Sequence, residues 1–567
     1  MKNSINAILL VILLTGTMFL STNSFVDGET ISKHYIFLLI TILLGGISFA
    51  AYKGNVKVDL LSAVFILFIT YLVVVIFYSN VNIQVIYYIG GFILYVVFKT
   101  LLDNKTITFC NNIIVTACVS QAIYGILQYT GVIKISSSFP ITGSFDNPAG
   151  FAACTVLGIP FALFSAKTKS KTKYLYFISV AVICIALIFS QSRAGILSAF
   201  TMFVVYLYCR FIHSLPLKKK SLILSLITAL SVSIFLFLFF FKQDSATGRY
   251  LIWQSALSVI SENPIKGYGN GGFNAHYMSY QANYFQHNPN SDLAVLADNV
   301  VHPFNEYFFL AIEYGIIGLL LFLALISISL FYNKRKLSPY ILAFISILVF
   351  ASFSYPFRYS FVWMIFVYSL ARLSINTPII YSIKTKFQLL ISVVLIAGLV
   401  FIGYWLYRDI QFEYKWNKVA KSSLMGKTKI VLPEYERLYT MWNGNPMFLY
   451  NYGAELNHIQ KYEESIRILN ECRKYLNDYD VTMLQADNYF KLKQWGEAEI
   501  YYKKASQMCP VRFVPLYYLY QVYDSAGLDL QAKDVAMDII NKPVKILSND
   551  VVLIKSKMNS YLKEKLH

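Results

Sequence analysis

Apolar runs, about thirteen of them and mostly about 17–25 residues long, recur along residues 5–407 of this chain. A helix rising ~1.5 Å per residue needs about 20 such residues to cross ~30 Å of hydrocarbon, and a helix satisfies its own backbone there. The runs lie near 5–22, 34–52, 58–79, 82–102, 107–131, 148–166, 174–191, 194–212, 221–241, 304–332, 338–354, 358–374 and 387–407. They predict an all-α polytopic membrane bundle of about 12–13 spans over residues 1–407. Composition agrees: 57% of residues are hydrophobic and 14% charged, against about 45–50% and 25% in soluble domains. The first run, Ile5 to Leu20, lacks the small-x-small pattern of a cleaved signal peptide and reads as a retained helix.

The formal charge of +19 does not require nucleic acid, because basic residues of membrane proteins collect in cytoplasmic loops. With the N-terminus in the cytoplasm, 19 basic residues of the membrane region 1–407 fall inside and seven outside: Lys33, Lys134, Arg193, Lys242, Arg249, Lys266 and Arg358. The opposite orientation inverts that bias. The longest inter-helix loop, 242–303, and a tail over 408–567 are therefore expected on the outer side. The seven cysteines show neither metal spacing nor a disulfide framework and read as small buried residues. No metal or cofactor is expected.

The tail changes character. "YNYGAELNHIQKYEESIRILNECRKYL" (450–476) lines up with "LQADNYFKLKQWGEAEIYYKKASQMCP" (484–510), matching Gly453 with Ala486, Ser465 with Ala498 and Cys472 with Ala505. A weaker third unit places Ala532 opposite Ala498. Small residues at that spacing suit closely packed antiparallel helices, and the period resembles tetratricopeptide repeats. Such arrays offer surfaces to protein partners.

Four outer segments carry more polarity than membrane filler needs. "PITGSFDNPAGFAAC" (140–154) is a polar turn entering a helix at Asn147 and Pro148. "FSQSRAGILSAF" (189–200) holds Arg193 where the charge bias disfavours it, and a phosphate partner gripped by its guanidinium would account for it. "GRYLIWQSALSVISENPIKGYGNGGF" (248–273) puts Arg249 and Trp253 on one helix face, suited to lie along the membrane surface. Its glycines are no dinucleotide fingerprint, since no strand precedes them; they fit a tight turn. The fourth, "VHPFNEYFFLAIEYGIIGLL" (301–320), opens a membrane helix with His302, Asn305 and Glu306 and carries Glu313 two turns on. Asn305 and Glu306 suit a helix start; His302 is a candidate proton acceptor; an ionisable group as deep as Glu313 is a functional or pairing candidate.

These segments, in this order over roughly 140–330, resemble the O-antigen ligase and polymerase superfamily of bacterial membrane glycosyltransferases. "GSFDNPAGFA" is similar to the family's G-x-F-x-N-P turn and "SQSRAG" to its S-R segment. The 248–273 stretch is similar to R-x-x-x-W followed by P-x-x-G-x-G, and the fourth to H-x-x-N-x-x-x-x-x-x-x-E-x-G-x-x-G. One departure is Phe304, where members often carry a second histidine. The resemblance implies transfer of a glycan from an undecaprenyl-diphosphate carrier to an acceptor hydroxyl, at the periplasmic face of the bacterial inner membrane. His302, Arg249 and Arg193 would be catalytic, and Asn147, Trp253, Asn305, Glu306, Glu313 and Arg358 would bind substrate. Lipid A-core or a protein Ser/Thr would be the acceptor. A repeat-unit polymerase of the same superfamily remains an alternative, as does a non-enzymatic transporter or scaffold, although no inverted repeat of transporter type is visible.

Overall fold

The computed structural model describes residues 2–51, 56–77, 83–134, 137–166, 171–241, 243–334, 336–383, 388–442 and 444–564. Of the basic residues that set the orientation, Lys53, Lys167, Lys169, Lys242, Arg335, Lys384 and Lys386 lie outside the described residues.

Every predicted span coincides with helix. The first ten helices are α1 (Lys2–Phe19), α2 (Ile31–Ala51), α3 (Leu60–Phe77), α4 (Ile83–Leu101), α5 (Asn104–Tyr129), α6 (Pro148–Thr155), α7 (Gly158–Ser165), α8 (Lys173–Ser190), α9 (Arg193–Leu207) and α10 (Leu217–Phe241). The 242–303 loop forms α11 (Gln243–Glu262) and α12 (Gly272–His287); then come α13 (Glu306–Asn333), α14 (Pro339–Ala351), α15 (Ser360–Leu373) and α16 (Gln388–Ser422). Among the described residues seven helices are long and apolar enough to cross a membrane, and five shorter apolar ones accompany them. The protein is an all-α polytopic membrane protein. Two short strands, Val56–Asp59 and Ile379–Ile383, pair antiparallel.

Packing divides the chain into two units. The first is Met1–Phe241, Phe304–Tyr307 and Ile317–Asn417; the second is Lys242–Pro303, Phe308–Ile316 and Lys418–His567. Unit 1 is built around α15, buried along almost its whole length, where Trp363 stacks on Phe366 at 5.5 Å and Phe366 on Phe344 at 5.3 Å. Its two ends are polar. At one, Lys99 pairs with buried Asp59, which also accepts from Thr377 Oγ1 at 3.1 Å. The other end gathers the termini of α1, α2, α6, α14 and α15 with the start of α13: Ser144 Oγ donates to Met18 O at 2.6 Å, and Lys33 Nζ donates to the carbonyls of Glu29 and Ser144.

Unit 2 contains the rest of the tail: α17 (Thr428–Met441), α18 (Pro446–His458), α19 (Tyr462–Cys472), α20 (Tyr479–Lys491), α21 (Trp495–Met508), α22 (Val514–Ser525), α23 (Asp529–Asn541) and α24 (Asn549–Glu564). Helices α18/α19, α20/α21 and α22/α23 pack as hairpins. The small residues singled out in the sequence are the contact points. Ser465, Cys472, Ala486, Ala498, Ala505 and Ala532 are all fully buried, and a Cβ on Gly453 would stand 2.8 Å from Leu469 Cδ2. The cysteines are all free thiols; Cys110, Cys118, Cys154, Cys472 and Cys509 are buried as expected, but Cys184 is half-buried and Cys209 exposed, because they face outward on apolar helices.

Helix α12 of the 242–303 loop packs on α21 of the tail, within unit 2. Reporter fusions at Gly271 and Gly527 are therefore expected to give the same signal, and the basic asymmetry makes it the exported one. Opposite signals at the two positions would refute this arrangement.

Candidate functional site

Each unit carries part of the motif set. In unit 1, Asn147 caps α6: its Oδ1 accepts from Ala149 N (2.9 Å) and Gly150 N (3.0 Å), with Pro148 in the first turn. Its Nδ2 donates to the hydroxyls of Tyr355 (3.4 Å) and Tyr359 (3.1 Å). The polar turn is thus a capped helix start that also fastens the 355–359 turn. From that turn Arg358 brings its guanidinium 3.9 Å from the Asp27 carboxylate and 3.8 Å from that of Asp146. Partly exposed pairs at such distances balance charge but contribute little stability. A small cleft lies between Glu29, Lys33, Phe145, Asp146, Arg358 and Tyr359.

Asn305 caps α13, its Oδ1 accepting from Tyr307 N at 2.9 Å while its Nδ2 donates to Ser352 O at 3.2 Å. Glu306 is buried and accepts from Phe357 N at 3.1 Å. Phe304 has φ +52° and lays its ring 5.5 Å from that of Tyr355. A bulky residue in the left-handed region is strained, and such strain concentrates at functional sites. Arg193 opens α9, where the Ser192 hydroxyl accepts from Gly195 N at 3.4 Å. Gly195 lies close against Ala152, and Ser198 donates to Ser346 O, which places Arg193 at the same polar end of unit 1.

In unit 2 the Trp253 indole donates to Pro303 O at 2.9 Å, and its ring meets Phe308 edge-on at 5.9 Å. Half-buried His302 precedes that carbonyl, so α11 holds the backbone beside the imidazole. Arg249 lies one turn earlier on the same helix face.

Glu313 is placed by the glycines. Helix α13 is broken at Gly315 (φ 61°, ψ −171°). The turn over residues 263–271, with Gly267, Gly269 and Gly271 all at positive φ, runs along the break. Tyr268 N donates to Ile312 O (2.9 Å), Gly269 N to Glu313 O (2.8 Å), and Ile316 N to Pro264 O (2.8 Å). The buried Glu313 Oε1 accepts from Gly271 N at 3.0 Å. The loop thus supplies partners to backbone groups that a broken membrane helix would otherwise leave unsatisfied. Glu313 buckles the turn to the helix. His276 rests on Tyr268 at 4.0 Å between ring centroids; burial holds its imidazole below the ordinary range, with Glu262 pulling the other way.

Residues 178–323 match the family described as O-antigen ligase. They are an O-antigen ligase domain. No curated protein matches the chain. The domain carries Arg193, Arg249, Trp253, His302, Asn305, Glu306 and Glu313, while Asn147 and Arg358 lie outside its bounds. The match covers about a quarter of the chain and supports glycosyl transfer of the O-antigen ligase/polymerase type in general.

Some neighbours of Arg358 and Asn147 carry no signal in the sequence. Asp27 and Asp146, which face Arg358, carry no weight in a count of basic residues. Tyr355 and Tyr359 are separated from Asn147 by 208 and 212 positions. Among the described residues no group of three or more His, Cys, Asp or Glu could hold a metal ion.

Proposed function

We propose that the protein transfers a glycan from an undecaprenyl-diphosphate carrier to an acceptor hydroxyl at the periplasmic face of the inner membrane. The match of residues 178–323 to the O-antigen ligase family carries this reading. The acceptor oxygen attacks the anomeric carbon as the bond from that carbon to the phosphate oxygen breaks. His302 takes the acceptor proton. The electron pair leaves with the lipid diphosphate, whose growing charge Arg249 and Arg193 hold. Asn147, Asn305 and Arg358 are assigned to the sugar, Trp253 and Glu313 to fixing the backbone around His302 and the 263–271 turn, and Glu306 to fixing the 352–358 turn.

An outward tail of tetratricopeptide type favours a protein Ser/Thr over lipid A-core as acceptor. Purified protein incubated with undecaprenyl-diphosphate oligosaccharide, followed by mass spectrometry of lipid, peptide and glycan products, tests the reading; no transferred glycan on any acceptor would refute it.

The arginines give a sharper test. Arg249→Lys keeps the charge but loses the planar fork, so turnover is expected to fall at least about tenfold if the diphosphate is held bidentately. Arg193→Ala is expected to do the same at unchanged protein level. Full turnover in both variants would remove the phosphate clamp from the mechanism.

A further inference from the structure

The part of the loop that leads into His302 is fastened to the tail, within unit 2, at the two turns that separate the tail's hairpins. Asn299 stands three residues before His302. Its Nδ2 donates to Asp478 Oδ2 (3.1 Å) and Asp480 Oδ2 (3.2 Å), and its Oδ1 accepts from Tyr479 N (3.4 Å). Asp298 accepts from Arg512 Nη2 at 2.7 Å, and the same guanidinium covers the Tyr479 ring at 4.2 Å and reaches Asp480 at 4.0 Å.

Behind this contact, Gln281 of α12 is fully buried. Its Nε2 donates to Met508 O (2.6 Å) and Asp298 O (3.0 Å), and its Oε1 accepts from Tyr277 OH (2.7 Å). Asn477 N donates to Asn274 O, and Asn477 Nδ2 to Ser279 Oγ, both at 3.1 Å. A buried amide with its capacity used on three chain segments fixes them in one register. On the far side of His302, Trp253 holds Pro303 O. The histidine is therefore bracketed by two anchors four residues apart, one from α11 and one from the tail.

We infer that the tail is an internal clamp for the proposed base: Asn299, Asp480 and Arg512 are positioning residues that set His302 through the backbone of residues 298–303. This rests on the role given to His302 above. The edge of the helical array that a foreign protein would meet at these turns is occupied by the chain's own loop. Catalytic groups displaced by about 1 Å lose roughly 10²-fold in rate, so loss of an anchor is read in turnover before it is read in substrate affinity.

The test uses the full-length protein and two readouts. Asn299→Asp brings a third carboxylate against Asp478 and Asp480 and removes the donor. Exchange of the amides of residues 299–302 with deuterated water is expected to rise about tenfold or more, and turnover to fall about 10- to 100-fold with KM for the lipid-linked oligosaccharide unchanged. Adding Asp480→Asn exchanges donor for acceptor and should return both readouts towards wild type. Arg512→Ala should act in the same direction, less strongly. Unchanged amide exchange in Asn299→Asp overturns the clamp. Faster exchange with unchanged turnover, or a change confined to KM, overturns its link to His302. Absence of glycan transfer by the wild-type protein refutes the proposed function instead, while the exchange measurement still decides the clamp.

Discussion

His302→Ala is expected to lose about 10²- to 10⁴-fold in turnover, the range ordinarily supplied by a positioned general acid–base group. His302 is half-buried, and its neighbouring backbone is held by Trp253 and Asn299. The other histidines of the loop are used differently. His276 is stacked on Tyr268, and His287 is exposed at the end of α12 with its Nδ1 on Asn283 O at 2.9 Å. Alanine at either should cost little. His302→Gln separates the two roles open to the imidazole, because it keeps a hydrogen-bond partner without the basicity. Near-normal turnover in that variant would make His302 an acceptor-positioning group and leave the arginines as the main stabilisers of the transition state.

Gly315→Ala is expected to prevent accumulation of a folded protein. The backbone there, at φ 61° and ψ −171°, belongs to a region used almost only by glycine. A Cβ would also stand 2.1 Å from Ile265 O and 2.4 Å from its carbonyl carbon, which no side-chain movement relieves. Strain and clash together should cost more than about 3 kcal/mol. Gly267→Ala should behave alike, since its Cβ would meet Glu313 O at 2.6 Å. Gly398→Ala is the control: it lies within α16 with nothing within 4 Å of the added carbon, and should be neutral or mildly stabilising. Detergent-solubilised yield and thermal unfolding would check the series; a Gly315→Ala protein as abundant and stable as Gly398→Ala would show that the turn along the helix break is not rigid.

Local patterns were legible and distant pairings were not. A span announces itself by length and apolarity, so each predicted run holds a helix, even where 148–166 divides into α6 and α7. The small residues of the tail announced helix contacts, because only close approach requires them. The positive φ of Gly267, Gly269 and Gly271 was foreshadowed by their density. By contrast, the break in α13 is disguised because apolar residues resume directly after it: Gly315 is one small residue among several, and its meaning depends on Ile265, fifty positions away. Asn305 and Glu306 read as a helix start, and Asn305 is one; their second attachments, to Ser352 O and Phe357 N, use backbone atoms and leave no mark on residue type. Arg358 was visible as an arginine out of place, but its carboxylate neighbours came from two other segments.

The fastening of Asp298 and Asn299 to residues 478–512 sets an order of events during synthesis. The loop leaves the ribosome long before its scaffold, and four apolar helices must be threaded into the bilayer in the interval. Until then residues 274–299 lack the tail partners of Asn274, Ser279, Gln281, Asp298 and Asn299. Loop closure over so long a separation is slow and leaves sticky surface uncovered meanwhile. A nascent chain interrupted before the last hairpins would be inserted with all its spans in place and would keep only the Trp253 anchor beside His302, so the final quarter of translation supplies the second.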